Sequence, residues 1–293
     1  MINKQNELYQ LKNVNPNKNG YTQLNKLYSK YQDEFIFGFD LEIIHWFNAC
    51  LCAPLGAILD KLNNDSWVTA RIKSILGNSN NILQRNEFLS YYGFDKVRDD
   101  KNTTIRYLKL QPSDSRFFNS YITNELINHP ALPSLSEPLK KKITESIYEM
   151  FVNAQIHSQT KFVYTCGQFF PNNHSVWFSI TDLGVGFKHN INNRFDKNLT
   201  SAQAIKWAVE NGHTTKTNIS GGIGLALLKE FIANNHGTMQ IVSGDGFYSF
   251  TASGEYSTSL DFEFPGTIIT MEFKTDDKNS YCLKSEITEE DIF

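Results

Sequence analysis

The segment 143–158, ITESIYEMFVNAQIHS, most constrains how this chain folds, because its apolar residues repeat at the spacing of an α-helix. One apolar arc is formed by Ile143, Ile147, Met150, Phe151 and Ala154. Glu149, Asn153 and His157 follow one another one helical turn apart and form an adjacent polar stripe. Val152 and Ile156 flank its other side, which predicts that the polar stripe lines a pocket; a solvated helix face is the alternative.

The side chains of the polar stripe suit phosphoryl chemistry. A glutamate on the wall of a pocket can position or deprotonate a water molecule. An asparagine oxygen suits Mg²⁺, a hard cation that keeps most of its waters and takes few protein ligands. We therefore take Glu149 as the candidate base and Asn153 as the candidate metal ligand.

Length and composition predict an ordinary globular protein of about two domains, with 293 residues, 40% hydrophobic and 20% charged. The net charge of −3 gives no electrostatic case for direct binding of nucleic acid or an anionic membrane. No run approaches the roughly 18 apolar residues of a membrane span, and the first residues, MINKQNELYQ, lack the apolar stretch of a signal peptide, so we expect a cytoplasmic protein. The cysteines show no metal-binding spacing, and Cys50 and Cys52 are expected to be buried by packing.

The first part of the chain is predicted to be a small α/β domain at residues 21–112, after a loosely ordered segment at 1–20. His45 lies in an apolar run and is expected to be a core histidine. The predicted strands are Glu34–Phe39, Trp67–Ile72 and Thr103–Leu110, and the predicted helices are Leu55–Leu62 and Ile82–Tyr92.

Residues 113–275 are predicted to form an α+β sandwich, with helices on a mixed, mainly antiparallel sheet, followed by a tail at 276–293. A hairpin around 171–174 joins two strands, and the second strand leads directly into Asp182. The remaining predicted helices are Asp114–Ile127, a long helix from Ser136 or Glu137 to His157, Ser201–Asn211 and Gly222–Asn234; the remaining predicted strands are Thr238–Val242, Gly246–Ala252, Leu260–Phe264 and Thr267–Phe273.

Two glycine-rich segments follow the long helix. In Asp182-Leu-Gly-Val-Gly186, the carboxylate can accept a hydrogen bond from an exocyclic amine, and Gly184 and Gly186 let the backbone approach a flat ring. In Gly221-Gly-Ile-Gly224, free amides at a helix start favour phosphate. A simple strand-to-helix turn and a closely packed helix start are the alternatives, and neither segment is a P-loop or a Rossmann fingerprint.

Together these motifs make the second half resemble the GHKL superfamily of ATPases, which share the Bergerat fold. The matching patterns are E-x-x-x-N-A-x-x-H at 149–157, D-x-G-x-G at 182–186, G-G-x-G-L at 221–225, and Gly266-Thr267 before the last strand. The resemblance implies bound ATP and Mg²⁺, with Asp182 on the adenine amino group, Thr267 in support, Asn153 on the metal and Glu149 as base. It implies a lid at 187–220 from which Lys216 reaches the γ-phosphate, with a mobile solvated lysine as the alternative. The further implied nucleotide-binding residues are His157, Gly184, Gly186, Gly221, Gly222, Gly224 and Leu225, with capping of the helix end as the alternative for His157.

The form N-A-x-x-H is most similar to anti-sigma serine kinases and histidine kinases, although no dimerising helical pair with a phosphoacceptor histidine precedes it. The first third weakly resembles a STAS-like domain, but the serine that such domains phosphorylate is absent from 47–59. Two functions remain open. One is an ATP-binding regulatory protein with Mg²⁺-dependent hydrolysis or protein phosphoryl transfer. The other is a nucleotide-gated interaction module, anti-sigma-like or antitoxin-like, without significant catalysis. Both imply a protein partner, and a homodimer is compatible with either.

Overall fold

The computed structural model describes residues 7–34, 36–66, 68–77, 79–157, 160–210 and 223–286. In the first part of the chain, strands alternate with helices. In the second part, helices pack on an antiparallel sheet, so the predicted α+β class is confirmed. Among the described residues, no helix combines the length and the apolar character that crossing a membrane requires.

The N-terminal layer is a three-stranded parallel sheet with two connecting helices, in the order β1-β2-β3. Its elements are β1 (Glu7–Val14), α1 (Lys18–Tyr31), β2 (Gly38–Phe47), α2 (Cys52–Asp65) and β3 (Thr69–Leu76). The side chain of Asn17 starts α1 by accepting a hydrogen bond from the Gly20 amide at 3.0 Å. The helix α3 (Ser79–Arg85) and a 3₁₀ turn (Phe88–Tyr92) follow, and the turn stops at Gly93, where φ is +86°.

The second part is built on a five-stranded sheet in the order β4-β6-β7-β9-β8, with every neighbouring pair antiparallel. Two further short strands pair with each other beside it. The strands are β4 (Thr104–Leu110), β5 (Ser134–Leu135), β6 (Val163–Phe170), β7 (Ser175–Asp182), β8 (Thr238–Thr251), β9 (Gly254–Lys274) and β10 (Ser280–Tyr281); the helices are α4 (Ser115–Ile122) with a π-helical turn (Thr123–Ile127), α5 (Glu137–His157), α6 (Gly186–Phe195), α7 (Ser201–Val209) and α8 (Ile223–Asn234).

The five-stranded sheet is covered on both sides, and side chains on each strand alternate between the two coverings. We call one side the helical face, where Val176, Phe178 and Ile180 pack with residues of α4, α5 and α8. We call the other the N-terminal face, where Tyr164 and Ile268 pack with residues of α1 and α2. The two parts of the chain therefore share one of the two hydrophobic cores.

Several sequence expectations need correction. Residues 7–20 are not loosely ordered, because β1 pairs with β2 and α1 begins at Lys18. The strand β4 pairs with β6, so the boundary near residue 112 does not separate the two sheets. Residues 276–286 are not a free tail, since β10 pairs with β5. The four predicted strands within 238–273 are two long ones, β8 and β9.

His45 is exposed with a φ of +70°, so it is not a core histidine. The pairing register between β1 and β2 gains an extra residue on β2 between Ile44 and Phe47, and this bulge turns His45 outward. The expected packing role of Cys50 and Cys52 is confirmed, since both are buried free thiols.

Candidate functional site

Asp182 is the last residue of the central strand β7, and polar side chains adjoin it on the neighbouring strands. It pairs with Thr267 on β9, and Thr267 pairs with Ser243 on β8. The hydroxyl oxygens of Ser243 and Thr267 are 3.2 Å apart. Because Ile180, Ile241 and Ile269 belong to the helical face, strand alternation puts Asp182, Ser243 and Thr267 on that same face.

The glycines after Asp182 shape a tight turn around its carboxylate. The Gly184 amide donates to Asp182 Oδ1 at 2.7 Å, and Gly186 adopts a φ of +74°, which favours glycine. A Cβ atom at Gly186 would come within 2.7 Å of Ser243 Oγ, and that oxygen also accepts a hydrogen bond from the Phe187 amide at 3.1 Å. The turn therefore favours glycine at position 186, where both the backbone conformation and the space beside Ser243 exclude a larger side chain.

Gly266 lets β9 approach β7 closely beside Asp182. A Cβ atom there would lie 2.0 Å from the Asp182 carbonyl oxygen, and a backbone atom at that distance has no room to move aside. Sequence reasoning placed Gly266 in the motif but missed Ser243, which carries the same polar row one strand further. No sequence pattern marks Ser243; the structure reveals its place, because the regular pairing between β8 and β9 ends there.

Burial raises the pKa of Asp182 to about 7, while the hydrogen bond from Gly184 opposes this shift. Within the described part of the chain, this carboxylate accepts one hydrogen bond, from the Gly184 amide. A desolvated carboxylate with spare acceptor capacity fits an exocyclic amine, which would supply a second donor. The residues present therefore fit the adenine end of a nucleotide.

The helix α5 carries the polar stripe to the same face and the same end of the sheet. Glu149 and Asn153 are partly buried, and the apolar arc beside them, including Phe151 and Ala154, is buried in the helical-face core. Residues 158–162 are the whole connection between the end of α5 and Val163, and Val163 pairs with Asp182. The C-terminal part of α5 therefore reaches the Asp182 end of the sheet.

The helix α8 also points its first turn toward that end. It runs from Ile223 to Asn234, and β8 then starts at Thr238, which pairs with Glu272 far along β9 from Thr267. Since α8 packs along the sheet, its N-terminus lies on the Asp182 side. Gly224 lies in its first turn and Leu225 is partly buried there. Lys216, Gly221 and Gly222 lie outside the described residues, as does the side chain of His157.

Where the structure describes it, at 187–210, the predicted lid consists mainly of two packed helices. Ile191 on α6 and Ile205 on α7 are buried, and Thr200 starts α7 with a reciprocal capping box to Gln203. A Cβ atom at Gly246 would meet the backbone of Ser201 at 2.7 Å, which shows how closely α7 lies on β8. The described part, 187–210, therefore belongs to the body of the fold.

No protein-family model and no curated protein sequence matches this chain. Among the described residues, His, Cys, Asp and Glu side chains form no group of three that could hold a metal ion. A Mg²⁺ ion next to Asn153 would therefore need oxygens from bound phosphates and water, which suits a cation that keeps most of its hydration.

Proposed function

We propose that this protein binds ATP with Mg²⁺ in the manner of the GHKL superfamily and uses the nucleotide to regulate a protein partner. The observation that carries the proposal is the row Asp182, Thr267 and Ser243 at the ends of three adjacent strands, with a partly buried carboxylate that has spare acceptor capacity. Each of these residues has a separate role in binding the nucleotide. Asp182 accepts from the adenine amine, Thr267 supports it, and the glycine turn admits the ring.

At the phosphate end, Asn153 would hold Mg²⁺ and the start of α8 would face the phosphates. Bound Mg²⁺ would neutralise phosphate charge. Glu149 lies one turn before Asn153 on α5 and is the group that would orient a water or an acceptor hydroxyl.

Calorimetric titration with ATP and Mg²⁺ tests the adenine assignment. Asp182→Ala is expected to weaken binding by about tenfold or more, since a hydrogen bond to a partly buried carboxylate is lost. Asp261→Asn is the matched control, because Asp261 is an exposed aspartate on β9, and it should bind like the wild type. Equal affinities for the wild type and a folded Asp182→Ala protein would refute the assignment.

Phosphate release from ATP separates catalysis from gating. If Glu149 is the base, Glu149→Ala abolishes release while calorimetry still detects ATP. Absence of turnover in a wild-type protein that binds ATP would instead favour the nucleotide-gated interaction module. In that case ATP should slow hydrogen exchange within residues 187–220 without any loss of γ-phosphate.

A further inference from the structure

A polar cavity of about 450 Å³ lies beside the edge strand β4, away from the Asp182 site. It is bounded by the end of α3, the loop before β4 and the π-helical turn Thr123–Ile127. Its volume falls in the range of small-molecule sites. The side chains that matter for its chemistry are Arg85, Glu87, Arg98, Asp99, Arg106 and Glu125.

The cavity is at the opposite end of the sheet from the candidate nucleotide site. Thr104, in the cavity wall, pairs with Gln168 on β6, whereas Asp182 is in register with Val163 on the same strand. Five residues of strand separate Val163 from Gln168, which corresponds to about 17 Å. A ligand in this cavity is therefore distinct from a nucleotide held by Asp182.

Four departures from regular backbone geometry meet in its wall. Glu87 and Asn102 have φ values of +67° and +49°, which residues other than glycine rarely adopt. The pairing of β4 with β6 is irregular between Ile105 and Leu108, next to Arg106. The π-helical turn Thr123–Ile127 closes the wall. Such features persist where the surroundings hold them, and they cluster at ligand sites.

The carboxylates in the wall are already held by protein donors. Asp99 Oδ2 accepts from the Thr103 amide, the Thr104 amide and the Thr104 hydroxyl, each at 2.7 Å. Glu125 accepts from the backbone amide of Arg106 at 3.1 Å and from its Nε at 2.6 Å. Glu87 pairs with Lys96. These carboxylates therefore have hydrogen-bond or ion-pair partners within the chain and need none from a ligand.

Arg85, by contrast, is poorly satisfied by the protein. Within the described residues its Nη1 makes only long contacts, 3.4 Å to Asp99 Oδ1 and 3.3 Å to the Thr103 hydroxyl. Its Nε is buried and has no acceptor within the described residues. The side chain is 18% exposed, so water replaces these bonds only in part. The guanidinium has donor capacity to spare for a planar or tetrahedral oxyanion.

His129 fixes the cavity wall without adding charge. Its ring stacks on Phe169 at 3.3 Å between centroids, its Nδ1 accepts from the Ala131 amide at 3.2 Å, and its Nε2 donates to the Asn102 carbonyl at 3.0 Å. Burial lowers its pKa, although the bond to Asn102 opposes this. The neutral ring thus holds the left-handed Asn102, and the arginines supply the positive charge.

We propose that this cavity binds a small molecule carrying a carboxylate or phosphate group, with the oxyanion held by Arg85 and, at the rim, by Arg98. Such a site goes beyond the proposed nucleotide function and gives the chain a second ligand. Because the cavity joins α3 of the first part to β4 and the turn after α4 of the second, an occupant would bridge both parts of the chain.

Calorimetry on the full chain tests the site, with inorganic phosphate and succinate as the two probes. At least one probe is expected to bind saturably, and Arg85→Gln should weaken it by about tenfold or more. Arg116→Gln is the matched control, because Arg116 is an exposed arginine on α4 outside the cavity wall, and its affinity should equal that of the wild type. Binding of phosphate alone would identify a phosphate-bearing ligand, and binding of succinate alone a carboxylate.

Two further variants keep the test decisive. Arg98 is 90% exposed, so Arg98→Gln should fold normally and weaken the probe severalfold even if Arg85→Gln does not fold. Asn153→Ala should leave the affinity unchanged. The proposal is overturned if neither probe gives saturable heat, if Arg85→Gln or Arg98→Gln binds like the wild type, or if Asn153→Ala removes binding.

Discussion

The two faces of the five-stranded sheet are buried by different kinds of contact. On the helical face, large side chains interlock, and Phe151 of α5 stacks on Phe118 of α4 with ring centroids 4.4 Å apart. On the N-terminal face, small and polar residues of the sheet, including Cys166, Ser179 and Thr270, lie among the apolar ones against α2, whose residues 52–59 are all buried. The hydroxyls of Ser179 and Thr270 lie 2.8 Å apart and satisfy each other.

This difference shows that a strand with alternating polar residues need not have a solvated side. Along β7, Val176, Phe178 and Ile180 alternate with Ser179 and Thr181, yet all five are buried. Small polar residues that pair with each other allow a helix to approach closely, whereas the helical face is filled by volume. Substitutions on the two faces should therefore lower the free energy of unfolding for different reasons.

The largest expected effect is loss of volume on the helical face. Phe151→Ala is expected to reduce the free energy of unfolding by about 3–5 kcal/mol, because it leaves a cavity next to Phe118. Urea unfolding followed by circular dichroism measures it. Phe117→Ala is the control, since Phe117 on α4 is 49% exposed and should change stability by about 0.5 kcal/mol or less. Equal losses for the two variants would contradict the packing described.

The next effect is the pH dependence that Asp182 adds at the end of the same face. Its folded pKa of about 7 lies above its ordinary value of 3.8, so the folded protein holds the proton more tightly. The associated stability is full below pH 4 and is lost as the pH rises to about 7, by up to about 4 kcal/mol. Asp182→Asn keeps an oxygen for the Gly184 amide and removes this titration.

Unfolding free energies measured at pH 5 and pH 8 test whether stability falls as the pH rises. The difference between the two pH values should be smaller in Asp182→Asn than in the wild type, and the variant should be relatively more stable at pH 8. Asp261→Asn should keep the wild-type profile, because Asp261 is exposed. An unchanged profile in Asp182→Asn would show that the carboxyl titrates at its ordinary pKa.

On the N-terminal face, added side-chain volume should destabilise the fold more than lost volume does. A Cβ atom at Gly56 of α2 would come within 2.1 Å of the Tyr107 hydroxyl oxygen, so Gly56→Ala is expected to cost about 1–3 kcal/mol. The double variant Gly56→Ala/Tyr107→Phe should recover part of that loss, as denaturant unfolding would reveal. Additive losses in the double variant would locate the strain elsewhere.

The smallest effects concern hydroxyls on the N-terminal face. Thr181 Oγ1 is buried and has no hydrogen-bond partner in the part of the chain that the structure describes, so Thr181→Val is expected to gain up to about 1 kcal/mol. Ser179→Ala should instead lose about 1 kcal/mol, because it leaves the Thr270 hydroxyl unpaired. Thermal unfolding of both variants distinguishes the signs, and a destabilised Thr181→Val protein would point to a hydrogen bond from ordered water.

The sequence predicted local structure well and long-range pairing poorly. The helix α5, the hairpin around 171–174 and the start of α7 follow from periodicity and capping within a few residues of each position. The membership of β4 depends on its pairing with β6, some 60 residues later in the chain, and no local pattern specifies it. The packing of α1 and α2 on the N-terminal face likewise depends on contacts between distant parts of the chain, which no local pattern specifies.

The candidate site was predictable in its parts but not in its assembly. The turn at 182–186 and the polar stripe on α5 were visible as patterns, and the structure brings Asp182 and Thr267 into register. Ser243 was missed, because a lone serine acquires meaning only through its register with Thr267. The cavity around Arg85 has no sequence motif, since its wall comes from three separate segments that only the fold brings together.

The contact between α1 and β9 has a consequence for how the chain is made. Asn25 donates its side-chain amide to the Phe262 carbonyl at 2.9 Å, across 237 positions of sequence. At ribosomal speeds of about 5–20 residues per second, β9 emerges roughly 10–50 s after α1. During that interval the apolar side of α1 that packs on β9 is uncovered, so the nascent chain exposes this surface until its last long strand is complete.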